Sequence, residues 1–246
     1  MIPIMDSVPS RNTPIAMYGI ILLNALVFLF EIQVAPESRD PLFYWFGLVP
    51  ARYTHPHWAS IVGFPANDYW PFLTSLFLHG GWLHIIGNMW MLYIFGDNVE
   101  DRMGPSRFLI FYLLCGITAG VVHVWTNPSS RIPTVGASGA VAGVMGAYLV
   151  MFPRAQVIIL FLLLFYPVFF ALPAYLFIGL WAFIQLYNGT LSLGKLDPNV
   201  GGIAWWAHVG GFAAGVVLCG FFAQSARKCR RYMKDEVFWE LPWVRD

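Results

Sequence analysis

Four polar side chains stand out in stretches that are otherwise apolar. His84 and Asn88 lie in His79-Gly-Gly-Trp-Leu-His84-Ile-Ile-Gly-Asn88, Ser138 in Gly136-Ala-Ser138-Gly139, and His208 in Ala207-His208-Val-Gly210-Gly211. A serine hydroxyl is a weak nucleophile until a neighbouring base takes its proton, and a neutral imidazole is the usual base. Ser138 and His208 therefore read as a candidate nucleophile and general base. Acyl transfer at such a pair also needs hydrogen-bond donors for a developing oxyanion. The Asn88 amide, His84 and the backbone N–H of Ser138 form the available set, and the i, i+4 spacing of His84 and Asn88 puts both on one helical face. No Asp or Glu falls near these residues in the sequence, so the expected arrangement is a Ser-His dyad without a third member.

Each residue taken alone has a packing alternative. Gly136-Ala-Ser138-Gly139 is a common helix-packing pattern in membranes, Asn88 is able to glue helices together, and a lone histidine such as His123 reads as a satisfied interhelical contact. Coincidence of depth favours chemistry, and depth depends on the elements that carry the residues. Hydrophobic residues make up 58% of the 246-residue chain and charged residues 11%, against about 25% charged in an ordinary soluble domain. Residues 69–96, 108–130, 132–153, 155–194 and 198–226 contain no Asp, Glu, Lys or Arg. A membrane-spanning helix needs about 20 apolar residues, so the composition excludes a soluble globule and predicts a polytopic membrane protein. The expected fold class is all-α, a bundle of six transmembrane helices at 14–34, 82–98, 106–126, 134–152, 171–188 and 203–223.

The window 155–194 is long enough for two helices. Pro167 and Pro173 interrupt it, and the segment QVIILFLLLFYPVFF suits extended or interfacial backbone. The positive-inside rule supports six spans over seven. With six spans and an inner N-terminus, Arg11, Arg102, Arg107, Arg154, Arg227, Lys228, Arg230, Arg231, Lys234 and Arg245 are cytoplasmic. Only Arg39, Arg52, Arg131 and Lys195 face outward, ten basic residues against four. Spans 2, 4 and 6 then all enter from the outer face and bring His84, Asn88, Ser138 and His208 to a common depth. Ser138 falls about four residues into its span and His208 about five, roughly 6–10 Å below the outer boundary. Gly136, Gly139, Gly143 and Gly146, with Gly211-x-x-x-Gly215, predict backbone-to-backbone approach of spans 4 and 6.

Other features bound the function. A net charge of +1 with basic residues clustered only in the C-terminal tail argues against nucleic acid as a partner. Cys115, Cys219 and Cys229 have no paired spacing, so neither a disulfide framework nor a CxxC metal site is expected. No cofactor or metal is implied. The N-terminal segment reads as a cytoplasmic lead-in and not as a signal peptide. The connection from about 35 to 81 holds Tyr44, Trp45, Tyr53, Trp58, Tyr69 and Trp70, aromatics suited to the membrane–water boundary. No linker divides the chain, so 1–246 is expected to form a single domain.

These residues resemble the rhomboid intramembrane serine proteases over roughly 14–225. The resemblance is carried by His79, His84-x-x-x-Asn88, Gly96-x-x-Val99-Glu100-x-x-x-Gly104, Gly136-Ala-Ser138-Gly139 and Ala207-His208-x-x-Gly211, in that order. It implies a six-helix core, a Ser-His dyad in a water-filled cavity open to the outer side, and cleavage of single-span or membrane-anchored protein substrates in the lipid bilayer. Carried over by position, Ser138 is the nucleophile, His208 the base, and His84 with Asn88 the oxyanion hole. Two positions depart from the family pattern. Trp70-Pro71 stands where many members have Trp-Arg, and Ala142 stands where an aromatic often packs on the catalytic imidazole. Residues 155–170 resemble the apolar fourth-loop segment of some bacterial members, and Glu100 is expected to satisfy backbone groups of the loop after span 2. The short soluble termini favour a bacterial plasma membrane.

Two other classes of function compete. A catalytically silent relative would bind transmembrane segments without cutting them, but such proteins usually lack one of the Ser-His pair. A transporter or metal channel built on His79, His84 and His208 would commonly need an HExxH motif or an intramembrane cluster of Asp or Glu, and the chain has neither.

Overall fold

The structure, a computed structural model, describes residues 2–164, 166–193 and 203–224. The basic tail with Arg227, Lys228, Arg230, Arg231, Lys234 and Arg245, together with Lys195 and Cys229, lies outside the described residues. The chain opens with a strand, β1 (Ile2–Asp6), and a long helix, α1 (Ile15–Gln33). Four short helices follow in the long connection: α2 (Pro36–Phe46), α3 (Ala51–Thr54), α4 (Pro56–Val62) and α5 (Pro71–Thr74). Then come α6 (Trp82–Met103), α7 (Pro105–Thr126), α8 (Ser138–Met151), the strands β2 (Gln156–Leu163) and β3 (Tyr166–Pro173), α9 (Ala174–Ser192) and α10 (Trp205–Phe222).

The six long helices overlap the six predicted windows, with α6 running on to Met103 and α9 to Ser192. Three of them, α1, α7 and α10, are long and apolar enough to cross a membrane. The others fall short for visible reasons. The 14 residues of α8 rise only about 21 Å at 1.5 Å each, less than a hydrocarbon core of about 30 Å. Asp97, Asn98, Glu100 and Asp101 dilute the end of α6, and Gln185 and Asn188 dilute α9.

The all-α expectation is corrected by a three-stranded antiparallel sheet in the order β1-β2-β3. Its β2–β3 pair occupies the stretch whose β-branched and aromatic residues favour extended backbone. Val157 and Ile159 of β2 are buried on one face, the period-two pattern of a strand. The N-terminal lead-in is itself the edge strand, pairing Ile2 with Leu160 and Asp6 with Val157. Pro3 is tolerated there because an edge strand has one unpaired side, and the register shifts between Pro3 and Met5.

At the centre stands α8, buried at every residue from Gly139 to Tyr148, as expected of a helix that is apolar all round. Side chains at the end of α6 tie down the N-terminal segment. The Asp101 carboxylate accepts the backbone and side-chain N–H groups of Asn12 at 3.0 and 2.9 Å, and Asn98 Nδ2 donates to Asp6 at 2.9 Å. Glu100 accepts backbone N–H groups as expected, but from α1 and not from the loop after α6. Its carboxylate accepts the Ala16 and Met17 backbone N–H groups at 3.0 and 2.7 Å. It thus caps the start of α1, whose own N-cap Pro14 offers no side-chain bond and whose first N–H groups lack intrahelical partners. The Gln224 N–H donates to the Arg102 carbonyl at 2.8 Å, so the end of α10 lies at this same end of the bundle. The starts of α6, α8 and α10 are consequently together at the opposite end.

Candidate active site

The nucleophile candidate sits at a helix start. Ser138 is the first residue of α8, not four residues inside a span, because the backbone before it is irregular. Gly136 has φ +121, a left-handed conformation that suits glycine, and its N–H donates to the Ser75 carbonyl at 2.8 Å. The turn leaves the Ser138 N–H in the first turn of the helix, where backbone donors have no intrahelical acceptor.

His208 is the fourth residue of α10. Its Nε2 lies 2.8 Å from Ser138 Oγ. Small residues permit the approach. An added Cβ at Gly211 or Gly215 would overlap the carbonyl oxygens of Gly139 and Gly143, and one at Gly146 would lie 2.5 Å from the Phe212 carbonyl oxygen. The two helices cross with backbone against backbone at the depth of the serine and the imidazole.

His84 and Asn88 come from α6 to the turn before Ser138. An added Cβ at Gly136 would stand 2.6 Å from the His84 ring and 3.5 Å from Asn88 Nδ2, so both side chains border the turn that presents the serine. Asn88 is itself held, its Nδ2 lying 3.0 Å from His79 Nε2. The His79 backbone N–H donates to both oxygens of the Glu31 carboxylate at 3.1 and 3.2 Å. Glu31, only 2% exposed, puts a carboxylate at this end of the bundle where none was expected from the sequence. It is linked to the site through His79, which contacts both Asn88 and the His84 ring. His123 is separate, with Nε2 at 2.8 Å from Thr134 Oγ1 and Nδ1 at 3.2 Å from Asn127 Nδ2.

Two residues on α9 were not singled out from the sequence. Gln185 Oε1 lies 2.8 Å from His208 Nδ1, and the Trp181 ring, one turn earlier, lies 6.0 Å from the imidazole centroid. Trp205 approaches the same ring edge-on at 6.4 Å. These groups flank the imidazole from positions other than Ala142. One available signal was the apolar run from 174 to 184 that breaks at Gln185, since a buried polar group needs a partner.

The long connection is anchored without Trp-Arg. Arg52 pairs with Asp68 at 2.5 Å and its guanidinium lies 4.7 Å from the Phe64 ring centroid. Leu48 and Thr134 bridge the connection to the loop before α8, and the Ala51 N–H donates to the Ser130 carbonyl at 2.9 Å. Among the described residues, no group of three or more His, Cys, Asp or Glu is placed to hold a metal ion.

Fold and composition define an integral membrane protein, mostly helical, with a serine and a histidine in contact at one end of its bundle. The family model described as Rhomboid domain matches residues 66–225, more than half of the chain, and the chain belongs to the rhomboid family. It is 33% identical over 90 residues to the putative rhomboid protease YdcA of Bacillus subtilis (strain 168), covering 37% of this chain and 45% of that one. It is 33% identical over 129 residues to Rhomboid-like protein 11, chloroplastic, of Arabidopsis thaliana, covering 46% and 45%. With the rhomboid protease GluP of Bacillus subtilis (strain 168) it shares 39% identity over 83 residues, 34% of this chain and 16% of that one. The matches span less than half the length of these relatives.

Proposed function

We propose that the protein is an intramembrane serine endopeptidase that cleaves single-span or membrane-anchored proteins by a Ser138–His208 dyad. The observation that carries this reading is the 2.8 Å separation of Ser138 Oγ and His208 Nε2, within the reach a general base needs. Ser138 Oγ attacks the carbonyl carbon of the scissile peptide as His208 Nε2 takes its proton. The tetrahedral oxyanion is held by His84, Asn88 and the Ser138 N–H. Collapse breaks the C–N bond, the imidazolium gives its proton to the leaving amine, and water attacks the acyl-enzyme with His208 again acting as base. This route uses no cofactor and no metal.

In this reading residues 1–246 form one membrane domain with six spanning helices in a bacterial plasma membrane, both termini cytoplasmic. The ten-to-four distribution of basic residues supports that orientation. The test is to reconstitute the protein in lipid with a panel of single-span substrates. The expected result is cleavage by wild type and none by Ser138→Ala. Equal cleavage by both would sink the dyad.

A further inference from the structure

A dyad base works only if its lone pair faces the serine, and nothing in Ser138 or His208 alone determines which ring nitrogen carries the proton. The partner at the far nitrogen decides it. Gln185 Oε1 stands 2.8 Å from His208 Nδ1, and a carbonyl oxygen only accepts hydrogen bonds. The geometry points to Gln185 as the positioning residue of the proposed dyad: its amide oxygen holds the proton on Nδ1 and thereby leaves Nε2 as the acceptor facing Ser138. This inference rests on the protease reading above.

The surroundings support the assignment. Gln185 is 6% exposed, on a helix whose Leu180, Phe183, Ile184 and Leu186 are exposed apolar side chains. A buried amide in such a place is expensive unless bonded, and its acceptor is directed at the imidazole. Trp181, one turn away on the same helix, closes the imidazole from the side, so α9 supplies both the orientation and the wall. A neutral amide does the orienting that a carboxylate does in a triad, without the desolvation penalty of a buried charge at membrane depth.

The charge environment makes the role measurable. Among the described residues, α8, α9 and α10 carry no Asp, Glu, Lys or Arg. His84 of α6 borders the serine turn at Gly136, His123 of α7 bonds Thr134 and Asn127, and Glu31 of α1 is directed at His79. A carboxylate introduced at 185 would therefore be the only negative charge in contact with the imidazole.

The experiment measures fluorophosphonate inactivation and substrate turnover against pH for the full chain in lipid, in wild type, Gln185→Leu and Gln185→Glu. Gln185→Leu should lower the inactivation rate and kcat at least about tenfold, short of the about 10⁴ seen when a triad imidazole is held in the wrong tautomer, with KM unchanged. Gln185→Glu should recover much of that rate at high pH and move the acidic limb of the profile upward, because an adjacent carboxylate favours imidazolium. The limb reports contact between residue 185 and the imidazole; orientation is read from the rate lost in folded Gln185→Leu and regained in Gln185→Glu, which keeps an acceptor. Wild-type rates in a folded Gln185→Leu, or an unmoved limb in Gln185→Glu, would overturn the positioning role and leave the dyad standing. If Gln185→Leu shows no cooperative thermal transition, Gln185→Met, of similar length and without a carbonyl acceptor, replaces it and carries the same expectation. Failure of wild type to label at Ser138 would remove the dyad and the positioning role together.

Discussion

Gly211 of α10 packs directly on the carbonyl of Gly139 in α8, so closely that an added Cβ would overlap that oxygen. The clash is with backbone and not with a flexible side-chain end, so α8 or α10 must move as a body. Overpacking of this kind typically costs about 1–3 kcal/mol. Gly211→Ala should lower the unfolding temperature in lipid and slow reaction at Ser138, which lies one residue before the clash. Gly179→Ala is the control, since an added Cβ there has nothing within 4 Å. Equal melting of the two variants would show that the close crossing does not hold the site together.

Asp6 lies in β1, outside the long helices. Burial pushes its carboxyl up to about 7, partly opposed by the Tyr148 hydroxyl bond and reinforced by the nearby Asp97. The unfolded chain releases this proton near pH 4, whereas the folded chain keeps it until about pH 7. The folded state therefore binds more protons across that window, and the contribution of Asp6 to stability falls as pH rises through it. Asp6→Asn keeps an oxygen acceptor for Tyr148 and Asn98 and removes the titration. Its thermal unfolding should match wild type near pH 4 and lie higher at pH 8. A variant that tracks wild type at both values would show that folding does not raise the Asp6 carboxyl.

The helices and the site were legible in the sequence to different degrees. Long apolar windows found all six helices, because membrane composition is a coarse signal that survives errors of several residues. The sheet was half legible: 156–173 showed extended preference, but five N-terminal residues carry too little pattern to announce an edge strand whose partner lies about 150 residues away. Ser138, His208, His84 and Asn88 stood out as polar residues in apolar runs. Gln185 and Glu31 were overlooked, because a helix end tolerates polar residues and neither side chain declares its partner until the fold brings His208 and His79 to it. Glu100 was noticed as an acceptor of backbone N–H groups, but its donors were sought in the wrong segment, since Ala16 and Met17 precede it by more than 80 residues.

The orientation predicts that a cysteine placed at Ser129, in the connection between α7 and α8, reacts with an impermeant reagent from outside the cell. One placed at Ser10, in the segment bonded to Asp101, should react only after the membrane is opened. Labelling of both from the outside would remove the argument that α6, α8 and α10 start at the outer face.

Asn88 has two jobs to separate. Its amide borders the serine turn at Gly136 and also bonds His79. Loss of one oxyanion donor costs about 10²–10³ in rate, and His84 with the Ser138 N–H would remain. Asn88→Ala should therefore lower kcat by about that factor without abolishing turnover. It should also melt at lower temperature, because His79 loses a buried partner, an effect of about 1–3 kcal/mol. A lower melting temperature with unchanged kcat would return Asn88 to a packing role.

The dyad makes the sharpest prediction. A fluorophosphonate traps a serine only when the hydroxyl proton is accepted as the oxygen attacks phosphorus and the leaving fluoride departs. Ser138 has an imidazole nitrogen at 2.8 Å. Labelling mapped by mass spectrometry should be confined to Ser138, fall to background in His208→Ala and persist at a reduced level in Asn88→Ala. His123→Ala should keep its labelling, because His123 bonds Thr134 and Asn127 and not the nucleophile. Efficient labelling in His208→Ala would sink the proposed base, and labelling at another serine would sink the proposed nucleophile.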